Sequence, residues 1–333
     1  MVKPRIPQIL VIGGAGYVGS HICASIFSSG WAPVVLDNLS YGHRDAARFG
    51  PFIHGSTQDI LTLSDAIRDC DVVIHCAAYM YVEESVKNPA IYYRNNLSYS
   101  LNILDVIRRA NPRVGLIFSS SCAVYGQPPA LPLNEDSPCQ PISPYGRSKW
   151  MVEQIIEDYA RAYQLRAIRL RYFNAVGADE SGVIGEDHNP ELHLIPQLLR
   201  HLLRHKSDKV AFEIHGDDYP TRDGSPIREY IHVCDLAEAH VLATHKLLDG
   251  NSGDVFNLGT GKGTSVLEVI QTVREVTGRD IDIQIATRRP GDPAELVSDF
   301  NKAQQILGWV PHRDFRQAIS DAWTWHKHRH PNG

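Results

Sequence analysis

Short apolar runs alternate with amphipathic stretches through the first half of the chain. The runs have the length and composition of buried strands, and they occupy residues 8–12, 33–37, 71–75, 115–119 and 167–171. Helical periodicity lies between them, most clearly at 17–29, 90–110 and 145–163. This alternation predicts an α/β fold built on a doubly wound parallel sheet of the Rossmann type.

The pattern of predicted elements changes in the second half of the chain, from about residue 176. Its loops are longer, and helical patterns dominate at 194–205, 235–248 and 265–277. We therefore expect a first domain over 1–176 and a smaller, mostly C-terminal α/β domain over 177–333. The run at 254–259 has the pattern of a strand that returns to the main sheet, so the two domains are expected to be interleaved.

Composition narrows the classes of function. A chain of 333 residues favours two coupled domains, and a net charge of −5 gives no basic footprint for nucleic acid. The longest apolar runs are only strand-length, so no membrane span is expected. The N-terminus shows no cleavable signal, and the six cysteines form no CxxC pair, which predicts reduced thiols in a cytoplasmic protein.

A glycine-rich loop follows the first predicted strand and opens the first helix. Gly13 and Gly14 allow a tight turn, Gly16 lets the backbone approach a pyrophosphate, and Gly19 permits close packing of helix on strand. Asp37 ends the next predicted strand about 20 residues on, where it can accept from a ribose 2′-hydroxyl and repel a 2′-phosphate. The pattern predicts NAD rather than NADP; a glycine-rich turn without a ligand is the alternative.

A tyrosine and a lysine stand four residues apart at a predicted helix start. Ser143 can cap that helix and Pro144 suits its first turn, so Tyr145 and Lys149 share one face near the N-terminus. We expect the lysine and the helix end to lower the tyrosine pKa from about 10 toward working pH, which suits a general base acting on a sugar hydroxyl. Ser121, at the end of another predicted strand, could share that hydroxyl. A chance pair on a helix surface is the alternative.

Several motifs together carry a family resemblance. They are GGAGYVGSH, LDNLS, FSSSCAVYG, SPYGRSK, LRYFN, REYIHVCDLAEAH, NLGTGKG and RRPGDPAELV. The chain resembles the extended short-chain dehydrogenase/reductase superfamily and, within it, the UDP-glucose (UDP-galactose) 4-epimerase family. The resemblance spans residues 8 to about 328, and YPTRDGSPIREYIHV is far more specific than the glycine loop.

The resemblance implies a mechanism and an assembly. Tyr145 would remove the C4 hydroxyl proton while hydride passes to a tightly held NAD, and the 4-keto sugar would turn over before hydride returns to its other face. Residues 1–176 would bind NAD and residues 177–333 the UDP-sugar. Helices 90–110 and 145–163 resemble a pair that forms a homodimer interface in relatives; a role in the core alone is the alternative.

The resemblance also implies site residues. The catalytic set is Tyr145, Lys149 and Ser121. The cofactor set is Gly13, Gly16, Tyr17, Val18, Gly19, Asp37, Asn38, Asp59, Ile60, Cys76, Ala77, Ala78, Asn95, Ser119, Tyr145, Lys149, Tyr172 and Phe173. The substrate set is Ser121, Tyr145, Asn174, His193, Leu194, His215, Arg228, Arg289 and Asp292. For either arginine, a surface ion pair is the alternative to a contact with the diphosphate.

Other activities stay open on the same scaffold. An N-acetylhexosamine or pentose 4-epimerase is the nearest alternative, because the region of Glu295 and Leu296 stands where relatives gate N-acetylated sugars. A 4,6-dehydratase is disfavoured because Cys122 and Ala123, rather than an acid pair, follow Ser121. A non-catalytic NAD-binding regulator is the alternative of another class. Sixteen histidines form no HExxH or Cys/His cluster, so no metal site is expected.

Overall fold

The framework is a seven-stranded parallel sheet. It is seen in a computed structural model that describes residues 5–205, 209–251, 253–288 and 293–331. The strands of the structure are β1 (Gln8–Ile12), β2 (Ala32–Asp37), β3 (Phe52–His54), β4 (Val72–His75), β5 (Gly115–Ser121), β6 (Ala167–Tyr172), β7 (Asn174–Val176), β8 (Lys209–His215), β9 (Ile227–His232), β10 (Asp254–Leu258), β11 (Gly263–Ser265) and β12 (Asp280–Ala286). The main sheet has the order β10-β6-β5-β4-β1-β2-β3.

Some of the helices cover both faces of this sheet, and others pack outside it. They are α1 (Tyr17–Ser28), α2 (Ile60–Arg68), α3 (Val82–Lys87), α4 (Pro89–Tyr92), α5 (Tyr99–Ala110), α6 (Pro144–Tyr163), α7 (Leu194–Arg204), α8 (Val233–Leu248), α9 (Val266–Thr277), α10 (Asn301–Leu307) and α11 (Phe315–Arg329). None of these helices, within the described part of the chain, has the length and apolar content to cross a membrane.

Strand order explains where a ligand can bind. The chain steps outward from β1 through β2 to β3, and it then crosses to β4 on the other side of β1. The carboxyl ends of β1 and β4 therefore diverge into separate connections, and this switch point is where open α/β sheets bind ligands. The predicted doubly wound Rossmann-type sheet is confirmed.

Two apolar cores lie against the two faces of the main sheet. On one face, Ile22 of α1 and Leu236 of α8 pack with β-strand residues such as Val11. On the other face, Ile107 of α5 and Ile156 of α6 close a second core. Because both faces are buried, the strands are mostly apolar, and this pattern made them recognisable in the sequence.

Two smaller sheets build the region beside the main sheet. One has the order β11-β9-β7, and the other pairs β12 with β8 in parallel. Their core is formed with residues of α7, α9 and α11. The later strand β10 lies at the edge of the main sheet and pairs in parallel with β6. The partition of the chain at residue 176 remains a prediction.

The helix predicted over 90–110 is interrupted, which corrects the expectation of one continuous element. Residues Tyr93–Ser98 form a π-helical segment between α4 and α5. Inside it, the buried Asn96 accepts from the Tyr79 amide at 2.8 Å and donates to the Ser148 hydroxyl at 3.2 Å. The segment thereby joins the chain after β4 to α6. π-Helical segments often mark functional sites, and sequence periodicity does not reveal them.

A buried ion pair connects α6 to the sheet. Glu153 and Arg171 are fully or almost fully buried, and Arg171 Nη2 lies 2.7 Å from Glu153 Oε2. Arg171 Nε also donates to Glu153 Oε1 at 3.0 Å, while Nη1 donates to the Tyr125 hydroxyl at 3.0 Å. Ser120 of β5 donates to the same Glu153 carboxylate. The network fixes α6 against β5 and β6, immediately beside the end of β5.

Replacing Arg171 by leucine should destabilise the protein strongly. Glu153 would remain buried without its cation, and breaking such a pair costs about 3–5 kcal/mol. Urea unfolding measures the loss. The matched control is Arg161→Leu on α6, the helix that carries Glu153. The pair of Arg161 with Glu157 is solvent-exposed and worth at most about 1 kcal/mol. Equal losses in the two variants would contradict the role given to the buried pair.

Candidate functional site

The loop between β1 and α1 requires glycine at two positions. Gly13 has φ +85°, and a Cβ there would lie 2.7 Å from the Ala77 amide nitrogen. A Cβ on Gly19 would lie 2.1 Å from the Gly13 carbonyl oxygen. Gly16 is the N-cap of α1 and has no side chain with which to cap it. The first turn of α1 can therefore offer its amides and positive dipole end to a phosphate.

Asp37 stands beside this loop at the end of β2. Its Oδ2 accepts from the Ala15 amide at 3.0 Å, and its Oδ1 accepts from the Leu39 amide at 2.8 Å. Burial raises the pKa of Asp37, although these backbone hydrogen bonds lower it in part. The two bonds fix the carboxylate and leave it further acceptor capacity for a ribose hydroxyl.

A cleft of about 610 Å³ runs from the glycine loop to the two smaller sheets. It brings together most of the predicted cofactor and substrate residues from widely separated parts of the chain. Those that line it are Gly13, Gly16, Tyr17, Val18, Gly19, Asp37, Asn38, Cys76, Ala77, Ala78, Asn95, Ser121, Tyr145, Lys149, Tyr172, Phe173, Asn174, His193, Leu194, His215 and Arg228. The π-helical segment contributes Asn95.

Three predicted cofactor residues are not among those that line the cleft. Asp59 is the N-cap of α2, where it accepts from the Leu61 and Thr62 amides, and the adjacent Ile60 is exposed. Ser119 is fully buried behind the lining, with its hydroxyl 3.1 Å from His240 Nε2. Their contacts with a cofactor remain predictions.

Two predicted substrate residues, Arg289 and Asp292, lie outside the described residues. Two other predicted substrate residues lie on the side of the cleft that the small sheets form. His215 ends β8, and Arg228 lies in β9. Arg228 donates to its neighbouring Ile227 carbonyl at 2.8 Å. Asn174 donates to the Glu229 carbonyl at 2.9 Å, which connects β7 to β9.

Lys149 is held under the cleft by the sheet. Ser143 caps α6 by accepting from the Gly146 amide, as predicted, and the helix then directs Lys149 at the end of β5. Its Nζ donates to the Ser119 carbonyl at 2.8 Å and lies 4.9 Å from the Phe118 ring centre. Burial lowers the pKa of Lys149 to about 8.

The pKa of Tyr145 is raised in the structure, whereas the sequence predicted that it would be lowered. Burial raises its pKa to about 12, and a hydrogen bond with Ser121 offsets only part of that rise. The expectation of a lowered pKa considered the lysine and the helix end but not the removal of water from the phenol. Desolvation of the phenol is the largest influence on its pKa.

One group of polar residues in the cleft wall was not predicted as a set. Glu186 and His188 line the cleft beside His193, and His193 Nδ1 lies 2.7 Å from Glu186 Oε1. Burial lowers the pKa of His193, but the charges and hydrogen bonds of Glu186 and Glu191 together outweigh burial and raise the value to about 10. The spacing E-x-H-x-x-E-x-H over 186–193 is the signal that could have identified the group.

Residues 9–259 match the model of the Epimerase family, described as the NAD dependent epimerase/dehydratase family. The chain belongs to this family. It is 47% identical over 329 residues to a UDP-glucose 4-epimerase of Halalkalibacterium halodurans, and the match covers 98% of this chain and 97% of the relative.

Solved structures of family members show the same architecture. The chain matches a UDP-glucose 4-epimerase from Brucella ovis in complex with NAD at a TM-score of 0.90 and 45% identity, covering 95% of this chain and 97% of that one. A UDP-glucose 4-epimerase from Bifidobacterium longum in complex with NAD+ and UDP matches at a TM-score of 0.90 and 35% identity, covering 98% and 99%. The glycine loop, Asp37 and the cleft fit the dinucleotide for which the family is named.

Replacing Asp37 by alanine should weaken NAD binding by roughly 10- to 100-fold, since a hydrogen bond to a charged group contributes about 1.5–3 kcal/mol. Calorimetric titration of NAD into cofactor-free protein measures the change. Circular dichroism checks that the loop still folds without the two backbone bonds. Asp65→Ala is the control, because that exposed carboxylate pairs with Arg68 on α2. Unchanged affinity in Asp37→Ala would refute the ribose assignment.

Proposed function

We propose that the protein catalyses the reversible, NAD-dependent C4 epimerisation of a UDP-hexose, with UDP-glucose and UDP-galactose as the pair. The observation that carries the proposal is the placement of Tyr145, Ser121 and Lys149 in one cleft with the glycine loop and Asp37. The similarity to relatives named UDP-glucose 4-epimerase over nearly the full chain supports the substrate.

The chain's own residues supply the proton chemistry. When bound, NAD supplies the hydride acceptor and later the hydride donor. Tyr145 takes the proton of the C4 hydroxyl, and Ser121 hydrogen-bonds the same oxygen. Removal of that proton together with the C4 hydride leaves a 4-keto sugar, and return of both restores a hydroxyl with inverted configuration. Lys149 provides a positive charge beneath the phenol.

Recognition of UDP and turnover of the sugar need different contacts. A sugar held by many hydrogen bonds could not present both faces, so the binding energy belongs on the nucleotide. Arg228 and His215 stand on the small sheets that line the cleft. We assign Arg228 to the diphosphate, because a guanidinium is planar and donates in a fork that matches phosphate oxygens. His215 would lie beside uracil.

We also propose a cytoplasmic homodimer. All six cysteines are free, as in a protein of a reducing compartment. α5 and α6 pack together, with the Tyr159 hydroxyl donating to Asp105 Oδ1 at 3.0 Å. Met151 and Tyr163 of α6 remain exposed in the single chain, and a second copy placed across these helices would cover them. A negative net charge argues against a nucleic-acid partner.

Incubation with a panel of UDP-sugars tests the substrate. We expect UDP-glucose and UDP-galactose to interconvert faster than the N-acetylated pair or the xylose and arabinose pair, with products separated by chromatography. Leu296, in the region with Glu295 where relatives gate N-acetylated sugars, is buried in the cleft wall. Interconversion of an N-acetylated or pentose pair alone would replace the proposed substrate, and no conversion at all would favour a non-catalytic NAD-binding protein.

Tyr145→Phe should lower turnover by about 10²–10⁴-fold, the usual contribution of a positioned general base. Binding of NAD and of UDP should be unchanged, because only the hydroxyl is removed. Initial rates with UDP-galactose and calorimetric titrations with UDP give the two readings. Tyr163→Phe is the matched control, since Tyr163 is an exposed tyrosine at the end of the same helix. Equal rates in Tyr145→Phe and the unchanged protein would remove Tyr145 from the mechanism.

A further inference from the structure

Two histidines and two glutamates converge in the connection between β7 and α7. They are Glu186, His188, Glu191 and His193, and one ligand atom of each lies within 4.8 Å of all the others. Glu186, His188 and Glu191 have nearly buried side chains, whereas His193 is about two-fifths exposed, at 41%. Residues so rich in lone pairs rarely gather in a buried place without something that neutralises them.

The distances suit a single small ion. His188 Nδ1 lies 3.4 Å from both Glu186 Oε1 and Glu191 Oε2. His193 Nδ1 lies 2.7 Å from Glu186 Oε1 and 3.3 Å from Glu191 Oε1. Ligand atoms at about 2.0–2.2 Å from a tetrahedral zinc ion are roughly 3.3–3.6 Å from one another. Three of the four distances match this spacing, and the fourth, between His193 and Glu186, is shorter, so these two side chains would move slightly apart to hold an ion.

Hydrogen bonding accounts for only part of this convergence, in which the His193 amide donates to Glu191 Oε1 at 3.0 Å. The Nδ1 atoms of His188 and His193 and the Oε2 atom of Glu191 are buried, and none has a hydrogen-bond partner within the described residues. Buried polar atoms are almost always hydrogen-bonded. Here they lie close to opposite charges but do not point along hydrogen bonds toward them, as expected of ligands that face a common centre.

We propose that Glu186, His188, Glu191 and His193 bind a divalent transition-metal ion of the zinc class. Two imidazole nitrogens with two carboxylate oxygens are ligands that zinc accepts readily. Magnesium and calcium favour shells made of oxygen alone, so the same site discriminates against them. Two protons shared among the four residues would also neutralise the two carboxylates. They would leave the Nδ1 atoms of both histidines and the Oε2 atom of Glu191 without hydrogen bonds.

The ion would act on the wall of the cleft rather than on the reacting sugar. It would tie the chain after β7 to His193, the N-cap of α7. His188 and His193 also contact the rings of Tyr17 and Tyr81, with ring centres 6.5 Å and 5.5 Å apart respectively. Tyr17, the first residue of α1, donates to the Gly177 carbonyl at 2.7 Å. Metal binding would therefore stabilise the side of the cleft where the glycine loop meets α7.

Cobalt titration of the full-length, untagged protein tests the proposal. After treatment with a chelator, Co²⁺ should bind at one site per chain with the strong visible absorption of tetrahedral coordination. Zn²⁺ should displace it, and Mg²⁺ should not. Zn²⁺ should also raise the unfolding temperature. Glu191→Gln and His188→Gln should each weaken Zn²⁺ binding by more than the roughly 10- to 100-fold that loss of a residue hydrogen-bonded to a ligand costs.

The matched control removes a different pair of histidines. His201 and His205 stand on and just after α7 with ring centres 4.4 Å apart, so a His201→Gln/His205→Gln variant reveals binding by surface histidines. It should keep the cobalt spectrum and the zinc affinity. The proposal is overturned if the unchanged protein binds no ion at a single site, or if binding is lost in this control but kept in Glu191→Gln. The spectrum of the unchanged protein decides the question even where a variant fails to fold.

Discussion

The buried ammonium of Lys149 is the interaction on which the geometry of the site depends. Its hydrogen bond to the Ser119 carbonyl joins α6 to the end of β5, and Tyr145 of α6 and Ser121 of β5 line the same cleft. One turn further along α6, Glu153 pairs with Arg171 of β6. Two buried cation contacts thus fix one helix to two neighbouring strands, and the reacting groups project from that rigid unit.

The same burial creates a difficulty for the chemistry. Removing Tyr145 from water raises its pKa to about 12, so the phenol keeps its proton at neutral pH. Lys149 is still positively charged there, because burial lowers its pKa only to about 8. A second positive charge is needed to favour the phenolate at neutral pH, and the oxidised nicotinamide ring carries one. The proton acceptor would then be competent only when the cofactor is in place, which couples the proton transfer to the hydride transfer.

Much of the fold could be predicted from the sequence, because six of the seven strands of the main sheet carry short, mostly apolar runs of ordinary length. Predicted ends of these elements agree with the structure to about two residues, the usual uncertainty of such boundaries. The strands that escaped prediction are short, such as Phe52–His54, or alternate with polar residues, as Lys209–His215 does. Such strands are fixed by their partners in the fold more than by their own residues.

Some features of the candidate site could be predicted from the sequence, and others depend on the folded structure. Sequence spacing was enough to predict the glycine loop and Asp37, which follow predicted strands. It was also enough for Tyr145 and Lys149, which lie four residues apart on one predicted helix. The pKa of Tyr145 could not be predicted, since desolvation depends on how the whole cleft closes around the phenol. Glu186 and His188 escaped notice because they lie in a loop, where sequence spacing does not fix which atoms meet.

Titration of the Tyr145 phenol is the most direct test of this account. The tyrosinate absorbance of the protein, minus that of Tyr145→Phe, isolates the one residue, and the titration is run with and without bound NAD. We predict no ionisation of Tyr145 near neutral pH in the cofactor-free protein and a clear fall of its pKa when oxidised NAD is bound. A phenol that ionises near neutral pH without the cofactor would contradict the claim that burial holds it protonated.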